Sequence, residues 1–133
     1  MLSLRLKTVA ALVPFGARVC DIGTDHARLP IYLIQSGIAK SVIAADLREK
    51  PLEKARENIR LAGVLGIDTR LCNGFDGIGA EEFDAAVIAG IGGEVISGII
   101  DRADILKNAD KLLILQPTTS PEILRRFLCE NGF

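Results

Sequence analysis

The chain lacks tryptophan, contains a single tyrosine and has only three cysteines among its 133 residues. The cysteines, Cys20, Cys72 and Cys129, are odd in number and form no C-x-x-C pair, which argues against a disulfide framework and against a zinc site. Reduced thiols are typical of a cytoplasmic protein, and we expect that location. The length predicts one domain, residues 1–133, whose apolar fraction of 49% is enough for a core.

Long apolar runs are also missing. No stretch approaches the roughly 18 consecutive apolar residues of a membrane span, so we expect no membrane partner. The N-terminal segment mixes basic with apolar residues and has no cleavage signal, so it does not resemble a signal peptide. The sequence by itself sets no oligomeric state.

The net charge is only −1, but the charges are unevenly distributed. Residues 1–60 hold ten Lys and Arg against six Asp and Glu, a net of +4. Residues 61–133 hold six against eleven, a net of −5. The asymmetry fits an RNA-facing side, and it also fits ordinary solvated helix faces.

The pattern alternates between short apolar runs and amphipathic segments. Strands are predicted at 18–23, 41–46, 67–72, 83–90 and 111–116. Helices are predicted at 3–12, 27–36, 51–62, 94–106 and 121–132. The strands are continuous apolar runs, which burial on both faces of a parallel sheet requires. The sequence therefore predicts an α/β fold with a doubly wound, mostly parallel sheet in the order 3-2-1-4-5.

In such sheets, ligands bind beyond the carboxyl ends of the strands. The turn after the first strand carries Asp21, Gly23 and Asp25 where a dinucleotide site would have three glycines. A carboxylate repels a pyrophosphate but attracts the cationic groups of S-adenosylmethionine, so this turn favours the methyl donor over NAD. Asp25 also fits a simpler role as the cap of the following helix.

Two further strand ends supply candidate donor contacts. Asp46 ends the second strand, where an acid accepts hydrogen bonds from both ribose hydroxyls of a nucleoside. NAD sites use the same device, and a surface acid would occupy this position equally well. Asn73 and Gly74 follow the third strand, where an amide meets the adenine amino group or simply forms an Asn-Gly turn.

The fourth strand ends in Ala89, Gly90, Ile91, Gly92 and Gly93, where a methyltransferase presents its acceptor. The glycines leave backbone N–H groups open to a close ligand, or they serve packing alone. His26 is the only histidine and lies beside Asp25, so it is a candidate for acceptor contact or a structural residue. Gln116 after the fifth strand fits a lining or a turn role. No cluster has metal-ligand spacing, so no metal is expected.

Together these residues carry a family resemblance over nearly the whole chain. The matching segments are DIGTDHARLPIYL at 21–33, NG at 73–74, IAGIGG at 88–93, LILQP at 113–117 and LRRFL at 124–128. In order and spacing they resemble the bacterial tRNA adenine-22 N1-methyltransferase family. Two positions depart from that pattern: Arg28 replaces the usual aromatic residue, and Asp46 replaces the common glutamate.

The resemblance implies a Rossmann-like methyltransferase fold, S-adenosylmethionine as donor and tRNA as acceptor, with methyl transfer to N1 of adenine 22. With these reactants, the strand-end residues give the candidate donor-binding set Asp21, Gly23, Asp25, Asp46, Asn73, Gly74 and Ala89. The candidate catalytic positions are Asp25, His26, Gly90, Gly92 and Gly93. The alternatives are another RNA site, a small-molecule acceptor, or a module that binds the donor without turnover.

The resemblance also implies parts beyond the residues present. The family fold has two further strands and a C-terminal helical domain, for which this sequence has no counterpart. We therefore expect a chain that stops before the last two strands of the fold. We also expect residues 1–133 alone to methylate tRNA inefficiently, even where they bind the donor.

Overall fold

A computed structural model of the chain describes residues 2–107 and 110–133. The described residues form five strands and five α-helices, which alternate except that no α-helix lies between the third and fourth strands. The order is α1 (Leu4–Ala11), β1 (Ala17–Ile22), α2 (Arg28–Gln35), β2 (Ala39–Asp46), α3 (Glu49–Ala62), β3 (Ile67–Leu71), β4 (Ala85–Ile91), α4 (Gly93–Arg102), β5 (Leu112–Pro117) and α5 (Pro121–Glu130). Short 3-10 helices at Ala80–Glu82 and Asp104–Leu106 complete the described elements.

The five strands form one sheet in the order β3-β2-β1-β4-β5, and every pairing is parallel. The predicted fold class and strand order are confirmed. In the centre of the sheet, Cys20 of β1 lies between Ile43 of β2 and Ala86 of β4. The carboxyl ends of β1, β2 and β4 therefore lie side by side at one edge.

Both faces of the central strands are buried, as their apolar runs predict. On one face Cys20, Ile22 and Ile88 pack against Ile96 and Ile100 of α4. Side chains of the opposite face alternate with these along the strands, and Val19, Val42 and Val87 pack against Leu29 and Leu33 of α2. The sheet is thus covered by helices on both sides, which leaves its strand ends as the place for a ligand.

The edge strand β3 differs from the prediction of a continuous apolar run. Its residues 68–70 are polar, and none of its residues is fully buried. Arg70 pairs with Asp68 at 2.9 Å and with Glu82 at 2.6 Å, which ties the strand to the 3-10 helix at 80–82. An edge strand has a hydrogen-bonded neighbour on one edge only and is less buried than a central strand, so polar residues cost it little, and they also discourage pairing with other chains.

Several predicted boundaries were also wrong by two residues or more. The strand predicted from Ser41 begins at Ala39, and the helix predicted to end at Gly132 ends at Glu130. The helix predicted over 94–106 ends at Arg102, because Ala103 leaves helical geometry with ψ of 84° and a 3-10 helix follows. The strand predicted from Phe83 begins at Ala85. The helix predicted from Pro51 begins at Glu49, so the proline lies in its first turn, where its missing N–H has no helical partner to lose. Within the described residues, no helix has the length and apolar character needed to span a membrane.

Candidate functional site: a cleft at the strand ends

A cleft of about 870 Å³ opens at the carboxyl ends of β1, β2 and β4. It brings together nine of the residues that the sequence singled out. These are Asp21, Gly23, Asp25, His26, Asp46, Asn73, Gly74, Ala89 and Gly90. Gly92 and Gly93 do not line it.

Asp21 lies near the end of β1, with only 4% of its surface exposed. Thr24 Oγ1 donates a hydrogen bond to Asp21 Oδ2 at 2.9 Å. Burial raises the pKa of Asp21 from its ordinary value, the Thr24 hydrogen bond offsets part of this increase, and the nearby Asp46 carboxylate adds a smaller one, so that the resulting pKa is about 7. Asp21 therefore changes its charge near neutral pH, at the floor of the cleft.

The turn after β1 brings its backbone close to two other strand ends. Gly23 has a φ of +75°, and a Cβ atom there would lie 3.1 Å from Ile91 Cδ1. The N–H groups of Gly23 and Thr24 both donate to the carbonyl of Ala45 on β2, at 2.9 and 2.8 Å. Glycine suits this position because it adopts a positive φ without strain and has no Cβ atom to contact Ile91.

Asp46 is the second buried carboxylate of the cleft, 5% exposed at the end of β2. Its Oδ2 accepts the backbone N–H of Asp25 at 2.9 Å, and its Oδ1 accepts that of Arg48 at 3.0 Å. The Arg48 guanidinium is 3.9 Å away. A carboxylate has about four acceptor positions. These two bonds therefore fix its orientation and leave each oxygen with capacity for a ligand hydroxyl.

Asp25 lines the cleft and does not cap the helix that follows it. Its φ is +58°, a left-handed conformation that Asp tolerates. The residue that precedes α2 is Ala27, and no side chain caps that helix. The Asp25 side chain is 60% exposed, and its Oδ1 lies 3.9 Å from His26 Nε2. The His26 carbonyl is held by Asn58 Nδ2 at 3.0 Å, which fixes the backbone of this turn.

The turn after β3 places Asn73 and Gly74 against α4. Asn73 Oδ1 accepts a hydrogen bond from Arg102 Nη2 at 2.8 Å, so its amide N–H₂ group remains free of that bond. Gly74 has a φ of +60°, and a Cβ atom there would lie 3.2 Å from Ile99 Cγ2. The Asn-Gly turn and the lining role are therefore both present at this position.

Gln116 does not line the cleft, but its side chain bonds to the backbone of Gly90, which does. Its Oε1 accepts the N–H of Gly90 at 3.0 Å and Arg5 Nη1 at 3.0 Å. A Cβ atom on Gly90 would lie 3.0 Å from Arg5 Nη1. The Gln116 side chain of β5 thus connects the end of β4 to Arg5 of α1 through hydrogen bonds.

Gly92 and Gly93 are placed differently from the expected acceptor-facing position. A Cβ atom on Gly93 would lie 2.3 Å from the Ser120 carbonyl oxygen, and one on Gly92 would lie 2.8 Å from Thr119 Oγ1. The Gly93 N–H donates to the Thr119 carbonyl at 2.8 Å. These two glycines let the start of α4 pack on the loop after β5, which is the packing role the sequence left open.

Among the four arginines of the cleft, sequence reasoning named only Arg28, as a departure from the family pattern. Arg5, Arg28, Arg48 and Arg102 all line the cleft, and so do the apolar side chains Leu47, Val95 and Ile99. The positive excess of residues 1–60 was the available signal, since three of the four arginines come from there. No group of three or more His, Cys, Asp or Glu residues able to hold a metal ion occurs in the part of the chain that the structure describes.

Comparisons with known proteins agree with this geometry. Residues 2–133 match the family model described as a methyltransferase domain. The tRNA (adenine(22)-N(1))-methyltransferase of Bacillus subtilis is 36% identical over 133 residues. The crystal structure of Streptococcus pneumoniae Sp1610 in complex with S-adenosyl-L-methionine matches with a TM-score of 0.93 and 38% identity. M. capricolum TrmK in complex with S-adenosyl-homocysteine matches with a TM-score of 0.84 and 36% identity.

The matches cover nearly all of this chain but only part of each relative. The Bacillus subtilis match covers 99% of this chain and 56% of the relative. The two solved structures are matched over 99% and 98% of this chain, and over 63% and 58% of their own chains. The chain thus spans little more than half the length of these proteins.

Proposed function

This chain belongs to the methyltransferase-domain family, and from that premise we propose that its cleft binds S-adenosylmethionine and that the protein methylates N1 of adenine 22 in tRNA. The donor and the acceptor follow the relatives described above. A tRNA substrate also makes the cytoplasm the expected location.

The single observation that carries the donor proposal is the Asp46 carboxylate. It is buried at a strand end, held by two backbone N–H groups, and faces the cleft with acceptor capacity left over. Two adjacent ribose hydroxyls match that capacity. Leu47 lies next to it, 63% exposed although apolar, and a planar adenine ring would cover this side chain and Ile99.

The methionine part of the donor carries an ammonium and a sulfonium group, and the carboxylates of the β1 turn suit both. Asp21 is buried at the floor of the cleft and Asp25 is exposed at its edge. A carboxylate within a few ångströms of a cation stabilises it more strongly in a buried site than in water. The negative charge also stabilises the acceptor, because the base becomes cationic as it is methylated.

The reaction needs no nucleophile from the protein. The N1 lone pair of adenine forms a bond to the methyl carbon while the carbon–sulfur bond breaks, and its electron pair remains on sulfur. The positive charge moves from sulfur to the base, so no proton transfer is required. The protein's part is alignment of N1, methyl and sulfur, for which orientation can supply up to about 7–11 kcal/mol. Gly90, which has no side chain, allows close approach at the end of β4.

The donor site is tested by titrating S-adenosylmethionine calorimetrically into Asp46→Ala and into the unmodified chain. Loss of a charge-assisted bond to the ribose should weaken binding by about 1–3 kcal/mol. The control is Glu53→Ala, which removes an exposed carboxylate of α3 outside the cleft. Equal affinity of the Asp46 variant and the control would contradict the proposed site.

The acceptor is tested separately with tritiated donor and two tRNA transcripts, one with adenine at position 22 and one with guanine there. Methylation of the first transcript alone is expected, with 1-methyladenosine in its nuclease digest. Because this chain spans little more than half of its relatives, slow transfer is expected, and only donor binding with no transfer above background at high protein concentration would identify a binding module. Transfer to both transcripts would identify a methyltransferase of another RNA site.

A further inference from the structure

A second groove of about 750 Å³ lies beside the cleft, between α1 and α2. Its α2 wall is formed by Arg28, Ile31, Tyr32 and Gln35. These residues are spaced i, i+3, i+4 and i+7, so they lie on one face of the helix. Lys7 of α1 faces them across the groove.

Tyr32 gives this groove an aromatic surface. It is the only tyrosine of a chain without tryptophan. Its ring packs against the core formed by Val9, Leu29 and Leu33, yet it remains partly exposed. A ring fixed in this way offers a stacking surface at little entropic cost.

The groove is also positively charged. Lys7 and Arg28 are its only charged lining residues. Within the described part of the chain, neither forms an ion pair, whereas Arg18, Arg56 and Arg70 pair with carboxylates at 2.6–3.1 Å. Two cations without carboxylate partners beside an aromatic ring are complementary to a phosphate and a base.

Arg28 is the residue that connects the groove to the cleft, since it lines both. We propose that the groove holds the nucleotide next to the target adenine in the RNA, with the phosphate between the two nucleotides at Arg28 and the neighbouring base on Tyr32. Lys7 contacts the outer phosphate of that nucleotide. This inference rests on the proposed function and specifies how its RNA substrate is held.

The amide side chains of the groove suit the edge of a base. Gln35 is exposed and has donors and an acceptor, and Asn58 keeps its carbonyl oxygen available because only its N–H₂ group bonds to His26. Stacking on a ring is tolerant of sequence, whereas amides distinguish base edges. The groove should therefore contribute mainly affinity, through stacking and charge, and only a smaller sequence preference through its amides.

The test measures the affinity of the chain for a fluorescently labelled tRNA bearing adenine 22, over a series of salt concentrations. Arg28→Gln and Lys7→Gln should each weaken binding roughly 3- to 10-fold and reduce the slope of log K against log salt by about 1. The control is Lys40→Gln, an exposed lysine at the opposite end of the sheet where β2 begins. It should change neither quantity.

The stacking contact is tested with a matched pair at Tyr32. Tyr32→Leu should weaken binding roughly 5- to 100-fold, and Tyr32→Phe, which keeps the ring, should retain the affinity. Photocrosslinking uses the unmodified chain and so does not depend on how a variant folds: 4-thiouridine placed beside adenine 22 should crosslink to the α2 peptide that contains Tyr32.

Groove variants that bind tRNA as Lys40→Gln does, together with crosslinks elsewhere, would overturn the inference. So would an unmodified chain that binds no tRNA at low salt. The proposed function is judged independently by donor titration and by the methylated base. Specific transfer to adenine 22 with unaffected groove variants would leave that function intact and remove only this subsite.

Discussion

Asp21 is the residue whose protonation should control donor affinity. Its pKa of about 7 means that it is half ionised at neutral pH, and the ionised form attracts the cationic methionine part of the donor. We expect the affinity for S-adenosylmethionine to rise as pH increases through about 7 and then to level off. Asp21→Asn should bind more weakly at pH 8 and show no such rise. Calorimetry at pH 6 and pH 8 measures both, and an identical pH profile for the two proteins would contradict this role.

The same residue should also influence stability, with a defined sign. The folded pKa of Asp21, about 7, lies above its ordinary value of 3.8, so the folded state holds a proton that the unfolded state has lost. Stability contributed by Asp21 therefore falls as pH rises from about 4 to about 7 and is constant above. Asp21→Asn should remove this slope. At pH 8 it should raise the free energy of unfolding by on the order of a few kcal/mol, and the melting temperature with it. Thermal melts at pH 5 and pH 8 give the comparison. A variant less stable than the unmodified chain at pH 8 would disprove it.

Position along the chain was enough to identify Asp21, Asp46 and Asn73, because each follows directly from a predicted strand end. Their partners were not predictable in this way. The hydrogen bond from Thr24 to Asp21 depends on the side-chain rotamer of Thr24. The hydrogen bond from Arg102 to Asn73 joins residues that are 29 positions apart in the sequence. Such contacts depend on packing between elements, for which a single sequence has no periodic signal.

Helix α4 offers a matched pair of glycines for a test at the scale of one element. At Gly93 a Cβ atom would lie 2.3 Å from the Ser120 carbonyl, whereas at Gly98 it would meet nothing within 4 Å. Gly93→Ala must displace the start of the helix and should destabilise the protein by about 1–3 kcal/mol. Gly98→Ala gains helix propensity and should stabilise it by about 0.5–1 kcal/mol. Urea unfolding of both variants measures the difference. Destabilisation of equal size would show that the contact between Gly93 and the Ser120 carbonyl does not determine the effect.

The elements themselves were largely predictable, since alternating apolar runs and amphipathic segments are strong local signals. The exceptions have physical causes. β3 owes its place to its pairing with β2 and to the Arg70 contacts, which outweigh the polar character of residues 68–70. The end of α4 at Arg102 is set by the 3-10 helix that follows, although the helical pattern continues to residue 106.

The ion pair between Arg18 and Asp84 joins the starts of the two central strands and should make the whole molecule sensitive to acid. Three hydrogen bonds from Arg18 hold the Asp84 carboxylate and lower its pKa to about 2. The resulting stability is present above the ordinary pKa of 3.8 and is lost as pH falls toward 2. Asp84→Asn should lower stability at pH 7 by about 0.5–1 kcal/mol, since the pair is half exposed, and should flatten the decline between pH 4 and pH 2.

The control for this prediction is Asp104→Asn, because Asp104 is 91% exposed and its ion-pair partner among the described residues is Lys107, three positions away. It should leave the acid melting curve unchanged. Equal effects from the two substitutions would show that the Arg18 pair contributes no more than an ordinary surface charge.

Because β1 lies in the middle of the sheet, its two neighbours pair with it at different times during translation. β1 can pair with β2, and β2 with β3, once Leu71 has left the ribosome, but the other edge of β1 stays open until β4 emerges. The cleft needs the end of β4, so the donor cannot bind the nascent chain before Ile91 is made. At about 5–20 residues per second, this interval lasts roughly 1–4 s. During it the open edge of β1 presents unpaired backbone N–H and C=O groups, to which chaperones can bind before the donor site exists.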